Sequence, residues 1–110
     1  MAFDEGLAHR IREIMEQGSH NFDEKNMFGG MSFMIGGNVA CGVIGDRMVV
    51  RVGSEGNAEA LAQPFAKAFD FTGKPMSGWI YVAPEGLSED DILNQWVNRG
   101  VNFASSLPPK

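Results

Sequence analysis

Apolar positions recur at helical spacing in the first part of the chain and then switch to alternation. In residues 4–17, DEGLAHRIREIMEQ, Leu7, Ile11, Ile14 and Met15 fall at i, i+4, i+7 and i+8, one face of a helix. Asp4 is placed to cap the helix start, and Glu5 suits the positive end of its dipole. Gly18 is the expected C′ residue, where glycine adopts a left-handed conformation most cheaply. From Glu24 to Gly53 the period becomes two. Met31, Phe33 and Ile35 alternate with Ser32, Met34 and Gly36; Val39, Cys41 and Val43 alternate with Ala40, Gly42 and Ile44; Met48, Val50 and Val52 form a third set. The turn signals GGN at 36–38 and GD at 45–46 separate these runs, so the segment predicts an antiparallel meander of three or four strands.

GSEGNAEALAQ (53–63) predicts a turn and a short helix, interrupted by Pro64. FDFTGKPMSGWIYVAP (69–84) predicts two further strands around a Gly-Lys-Pro loop. Residues 88–107 carry the clearest helical pattern, with Ile92, Leu93, Trp96, Val97, Val101 and Ala104 on the buried face. Ser88 and Asp91 resemble a capping box at its start. The order is α-β(3–4)-α-β(2)-α. The predicted fold is α+β: a two-layer sandwich in which helices cover one face of an antiparallel β meander.

Composition narrows the picture. The chain has 110 residues, which fits a single domain over 1–110. It is 44% hydrophobic and 21% charged, a globular rather than a disordered balance. No apolar run approaches the roughly 20 residues that span a bilayer, and the acidic N-terminus lacks a signal core. The expected location is the cytoplasm, without membrane attachment. The formal net charge is −5, and no two of the nine Lys and Arg residues are adjacent. Phosphate backbones are held by clustered cations, so direct nucleic-acid binding is disfavoured.

Candidate chemistry is sparse. The lone cysteine, Cys41, lies in the apolar stretch NVACGVI and reads as a buried thiol. His9 and His20 form no metal-binding spacing, and His9 with Glu13 supplies only two ligands. Met27, Met31 and Met34 suit core filling better than Cu(I). No cofactor is expected. No nucleophile–base pattern stands out, and the carboxylate pairs Asp4/Glu5 and Asp90/Asp91 fit helix starts, so no enzymatic activity is expected. Arg51, Gly53 and Gly56 precede a helix and could surround an anion, but Glu55 in the same loop opposes one. TGKPMSGW (72–79) sets Lys74 beside Pro75, Met76 and Trp79. It is a protein-binding patch if Met76 and Trp79 are exposed, and a structural loop if they are buried.

KNMFGGMSFMIGGNVACGVIGDRMVVRVG, followed by FDFTGKPMSGWIYVAPEGL, resembles the N-terminal domain of the TfoX/Sxy family over about residues 3–104. Met27, Phe28, Gly29, Gly30, Gly73, Lys74 and Met76 carry the likeness. It implies a two-layer α/β sandwich and a relation to regulators of bacterial competence that activate transcription. Those regulators add a C-terminal helical domain, so this chain is expected to be a short, stand-alone form. The resemblance supplies no catalytic residues. The leading expectation is a regulatory module that binds a protein partner or a second copy, with Met27, Phe28, Gly29, Gly30, Gly73, Lys74, Met76 and Trp79 as candidate interaction residues. The alternative is a small-ligand domain with a pocket between helix and sheet near Met27, Phe28 and Trp79.

Overall fold

The computed structural model describes residues 3–18, 21–27, 29–69 and 76–108, apart from the side chains of Met27, Met76 and Ser77. Among these residues the helices are α1 (Glu5–Gln17), α2 (Gly53–Leu61) and α3 (Asp90–Ser106). The strands are β1 (Asp23–Met27), β2 (Gly30–Ile35), β3 (Asn38–Ile44), β4 (Arg47–Arg51), β5 (Ala66–Phe69) and β6 (Met76–Val82). A 3-10 turn over Pro84–Leu87 leads into α3. The expected α+β fold is present, and the meander has four strands.

All strand pairs are antiparallel, in the order β1-β2-β3-β4-β6-β5. The sheet is open, and β6 lies beside β4 while β5 takes the edge. Phe33, Cys41, Val43, Met48, Val50, Ile80 and Val82 point to one face. They join Leu7, Ile11 and Met15 of α1, Ala60 of α2, and Leu93, Trp96, Val97 and Val101 of α3 in one core. Burial of this face against three helices is the main force holding the two layers together.

Asp4 caps α1: its carboxylate accepts a hydrogen bond from Leu7 N–H at 3.1 Å. Asp4→Ala is expected to cost about 1 kcal/mol, read as a lower urea midpoint at unchanged slope. Arg12 ties α1 to β1 by donating to both carboxylate oxygens of Glu24, at 2.6 and 2.7 Å. The hydrogen bond from Arg12 holds the Glu24 carboxyl below its ordinary pKa, against an opposing push from burial. The stabilisation is therefore present at neutral pH and is lost as pH falls through that lowered pKa. Partial exposure keeps it below about 1 kcal/mol.

Several expectations at element ends change. Gly18 ends α1 in a right-handed rather than a left-handed conformation, φ −78°, with its N–H bonded back to Ile14. The α3 cap is Glu89, without a side-chain bond, rather than Ser88, because the turn over Pro84–Leu87 delays the helix by one residue. Ile92 is 40% exposed rather than buried. Strand β5 begins at Ala66, ahead of the expected 69–84 stretch, after Phe65 reverses the chain with φ +66°. Val52 leaves the strand pattern and becomes the N-cap of α2. A bulge between Phe33 and Met34 shifts the register, pairing Met34 with Val39 and taking Val39 out of the helix-covered core.

Candidate interaction site

The Gly29–Gly30 pair serves the β1–β2 hairpin. Gly29 has φ +76°, which L side chains rarely adopt. Gly30 meets a different demand: a Cβ there would collide with the Val43 carbonyl oxygen and lie 3.0 Å from its carbon. Met27 closes the hairpin by pairing with Gly30. Phe28, Gly73 and Lys74 lie outside the described residues, and Met76 is placed as the first residue of β6, paired with Phe69. Trp79 is half-buried on β6, and β3 and β4 stand between it and the glycine hairpin. The described candidates therefore do not form one site. On the sheet face away from the core, the space bounded by Trp79, Val49, Ser32 and Gly42 is about 10 Å³, too small for a ligand.

A larger cleft, about 570 Å³, opens where α2 begins, beside the C-terminal half of α3. Gly53, Ser54, Glu55, Arg99, Asn102 and Phe103 line it. Gly53 has φ +79°, and Phe103 fills the space a side chain there would need. Arg99 already pairs with Glu59 at 3.1 Å, and Glu55 adds an acid to the wall. This is the Arg51–Gly56 stretch that the sequence marked as an anion candidate, although Gly53 and Gly56 lie within α2 rather than in a turn before it.

The sheet face opposite the apolar core carries a different chemistry. Alternation along β4 sends Met48 and Val50 into the core and Arg47, Val49 and Arg51 to the opposite face. Register places Tyr81 beside Val49 and Trp79 beside Arg51. Phe69 is fully buried, with its ring edge-on to Tyr81 at 4.7 Å and tilted against Trp79 at 6.1 Å. The Arg47 guanidinium lies 5.5 Å from the Tyr81 ring centre. That of Arg51 lies 5.2 Å from both Trp79 and Phe103. Trp79 was visible as a candidate in the sequence, but Arg47, Lys67 and Tyr81 were not singled out. For Arg47 and Tyr81 the signal was the alternation of RMVVR and WIY, which places them on the face away from the apolar core; Lys67 lies in AKAF, which carries no such signal.

Cys41 is fully buried within the core. Burial disfavours its thiolate and raises the thiol from 9.0 to about 12. The native protein is expected to resist iodoacetamide at neutral pH and to be alkylated rapidly once unfolded in urea, as mass spectrometry would read. The unfolded thiol ionises first, so this group's stabilising effect is complete below about pH 9 and declines from there toward pH 12.

Among the described residues, no group of three or more His, Cys, Asp or Glu side chains is placed to hold a metal. No described helix is long and apolar enough to cross a membrane. The family model of the TfoX N-terminal domain matches residues 14–104. The chain belongs to the TfoX N-terminal domain family. No curated relative and no solved structure matches it. The TfoX N-terminal match spans both the glycine hairpin and the aromatic strand β6, the two stretches that carried the resemblance in the sequence.

Proposed function

We propose that the chain is a non-enzymatic regulatory module of the cytoplasm that acts by binding another protein. The match to the TfoX N-terminal domain carries this reading, since that family is associated with competence regulators. Exposed cations on the sheet face opposite the apolar core, Arg47 and Lys67, support it, because they can meet a partner while the core face supplies stability. The test is affinity purification of the tagged protein from its native cell, with light scattering of the purified protein at micromolar concentration. A reproducible protein partner is the expected result. A monomer that retains no protein overturns the reading.

A small-ligand role is the second reading, favoured by the 570 Å³ cleft at the start of α2. It predicts small molecules that raise the melting temperature of the wild type but not of Asn102→Trp, which fills the cleft from its exposed rim. A screen giving equal shifts for both proteins removes it.

A further inference from the structure

The last three strands carry only basic charge, although exposed Asp46 directly precedes Arg47. The molecule carries 14 acidic and nine basic residues, yet β4 (RMVVR), β5 (AKAF) and β6 (MSGWIYV) contain no carboxylate. They contribute Arg47, Arg51 and Lys67. Among the described residues, the ion pairs engage His9, Arg10, Arg12 and Arg99, and none of these three strand cations. Arg47 and Lys67 are exposed, and Arg51 is half-buried.

Register fixes the layout of the three. Arg47 and Arg51 lie four residues apart on one face of β4, about 13 Å along the strand. Lys67 pairs with Tyr81, which pairs with Val49, so Lys67 sits level with the midpoint of that span. Two strand spacings separate it from β4, about 10 Å. The cations form a triangle with Tyr81 inside it and Trp79 beside Arg51.

The geometry points to this triangle as a docking surface for an acidic, extended segment of a partner protein. The inference rests on the protein-binding role proposed above and names the surface and the partner's chemistry. Carboxylates three to four residues apart on an extended chain span roughly 10–13 Å, which matches the cation spacing. Guanidinium groups bind carboxylates through paired hydrogen bonds, and Arg47 stands exposed to do so. Single-stranded nucleic acid fits less well, since it needs open aromatic faces for base stacking. Here guanidinium groups lie over Tyr81 and Trp79, and Phe69 packs against both rings. A long polyanion would also meet the field of a molecule with net charge −5, whereas a short acidic segment senses mainly the local patch. A second copy offering its acidic helical side would make a head-to-tail contact, which builds open chains rather than a closed dimer.

The test is fluorescence anisotropy at low salt with a labelled twelve-residue peptide repeating Glu-Leu-Asp-Gly. A basic peptide repeating Lys-Leu-Arg-Gly and a twelve-nucleotide thymidine strand serve as comparisons. The acidic peptide should bind saturably and weaken as salt rises. Arg47→Ala with Lys67→Ala should weaken it by about tenfold or more. Gln17→Glu with Gln95→Glu makes the same change in net charge on the helical side and should alter binding by less than about twofold. Equal weakening by both double variants, tighter binding of the thymidine strand, or no saturable binding each overturns the assignment. If the peptide fails but a cellular partner is retained equally by wild type and the Arg47/Lys67 variant, the protein-binding role survives and this surface does not. If no partner is retained either, both fail.

Discussion

Replacing Gly30 by valine is expected to destabilise the domain by about 3–5 kcal/mol, enough to leave much of it unfolded. The atoms a Cβ would meet at Gly30 belong to the backbone of Val43 and Ile44 on the neighbouring strand. They cannot rotate away as a side-chain tip would, so relief requires β2 and β3 to separate where Met31 pairs with Val43. Valine adds two further methyl groups to the same space. Gly29 is the internal comparison. A Cβ there has no neighbour within 4 Å, and only its φ of +76° resists substitution. Asparagine tolerates that region, so Gly29→Asn should cost no more than about 1 kcal/mol. Urea unfolding of the two variants separates close approach from backbone conformation. An unchanged midpoint for Gly30→Val, or a larger loss for Gly29→Asn, would sink this account of the hairpin.

Gly100→Ala sets two effects of opposite sign against each other. Alanine in a helix interior is favoured over glycine by about 1 kcal/mol. However, the new Cβ would collide with the Ala40 carbonyl oxygen and lie 2.9 Å from its carbon and 3.4 Å from Val50 Cγ1. Gly100 is where α3 comes down onto β3, so accommodation means lifting α3 and loosening Val97, Val101 and Ala104. Overpacking of this kind costs roughly 1–3 kcal/mol, and more when the obstacle is backbone. The clash should prevail, with a net loss of about 2 kcal/mol and a melting temperature lower by about 8–12 °C. Gly56→Ala in α2 provides the opposite sign. Its Cβ would make ordinary contact with Val52 at 3.6 Å, so the propensity gain of up to about 1 kcal/mol remains. A stabilised Gly100→Ala would show that α3 sits further from the sheet than described.

The elements built on strong periodicity were legible in the sequence. The i, i+4 spacing of Leu7, Ile11 and Met15 gave α1, and the alternation of Met31, Phe33 and Ile35 gave β2. What periodicity cannot encode was lost. AKAF lacks β-branched residues and does not advertise β5, whose place is fixed by pairing with β6. The bulge between Phe33 and Met34 is visible only once two strands are aligned. Nothing local states that β6 should lie between β4 and β5. The cationic face was hidden for a related reason. A net charge of −5 averages over the whole chain, while Arg47, Arg51 and Lys67 become neighbours only after distant strands pair. Glycine was informative at Gly29 and Gly30 because both uses anticipated for it, positive φ and close approach, occur there on adjacent residues.

The strand order β1-β2-β3-β4-β6-β5 divides the chain into parts with different routes to assembly and loss. Strands β1 to β4 follow one another through two-residue turns, so each pairing closes a short loop at small entropic cost. Residues 53–82 form a contiguous flap at one margin, comprising α2, β5 and β6. Among the strands, the flap meets the meander where Arg51 to Met48 pair with Trp79 to Val82, while Ala60, Ile80, Val82 and the Glu59–Arg99 pair tie it to α3 and the shared core. Opening at that seam, together with loss of the contacts to α3, would release the flap while β1 to β4 stay paired, and sub-global openings follow such contiguous units. The cation triangle straddles the seam, with two corners on the meander and one on the flap. A segment bound across all three corners would therefore act as a latch, coupling occupancy of the surface to closure of the sheet.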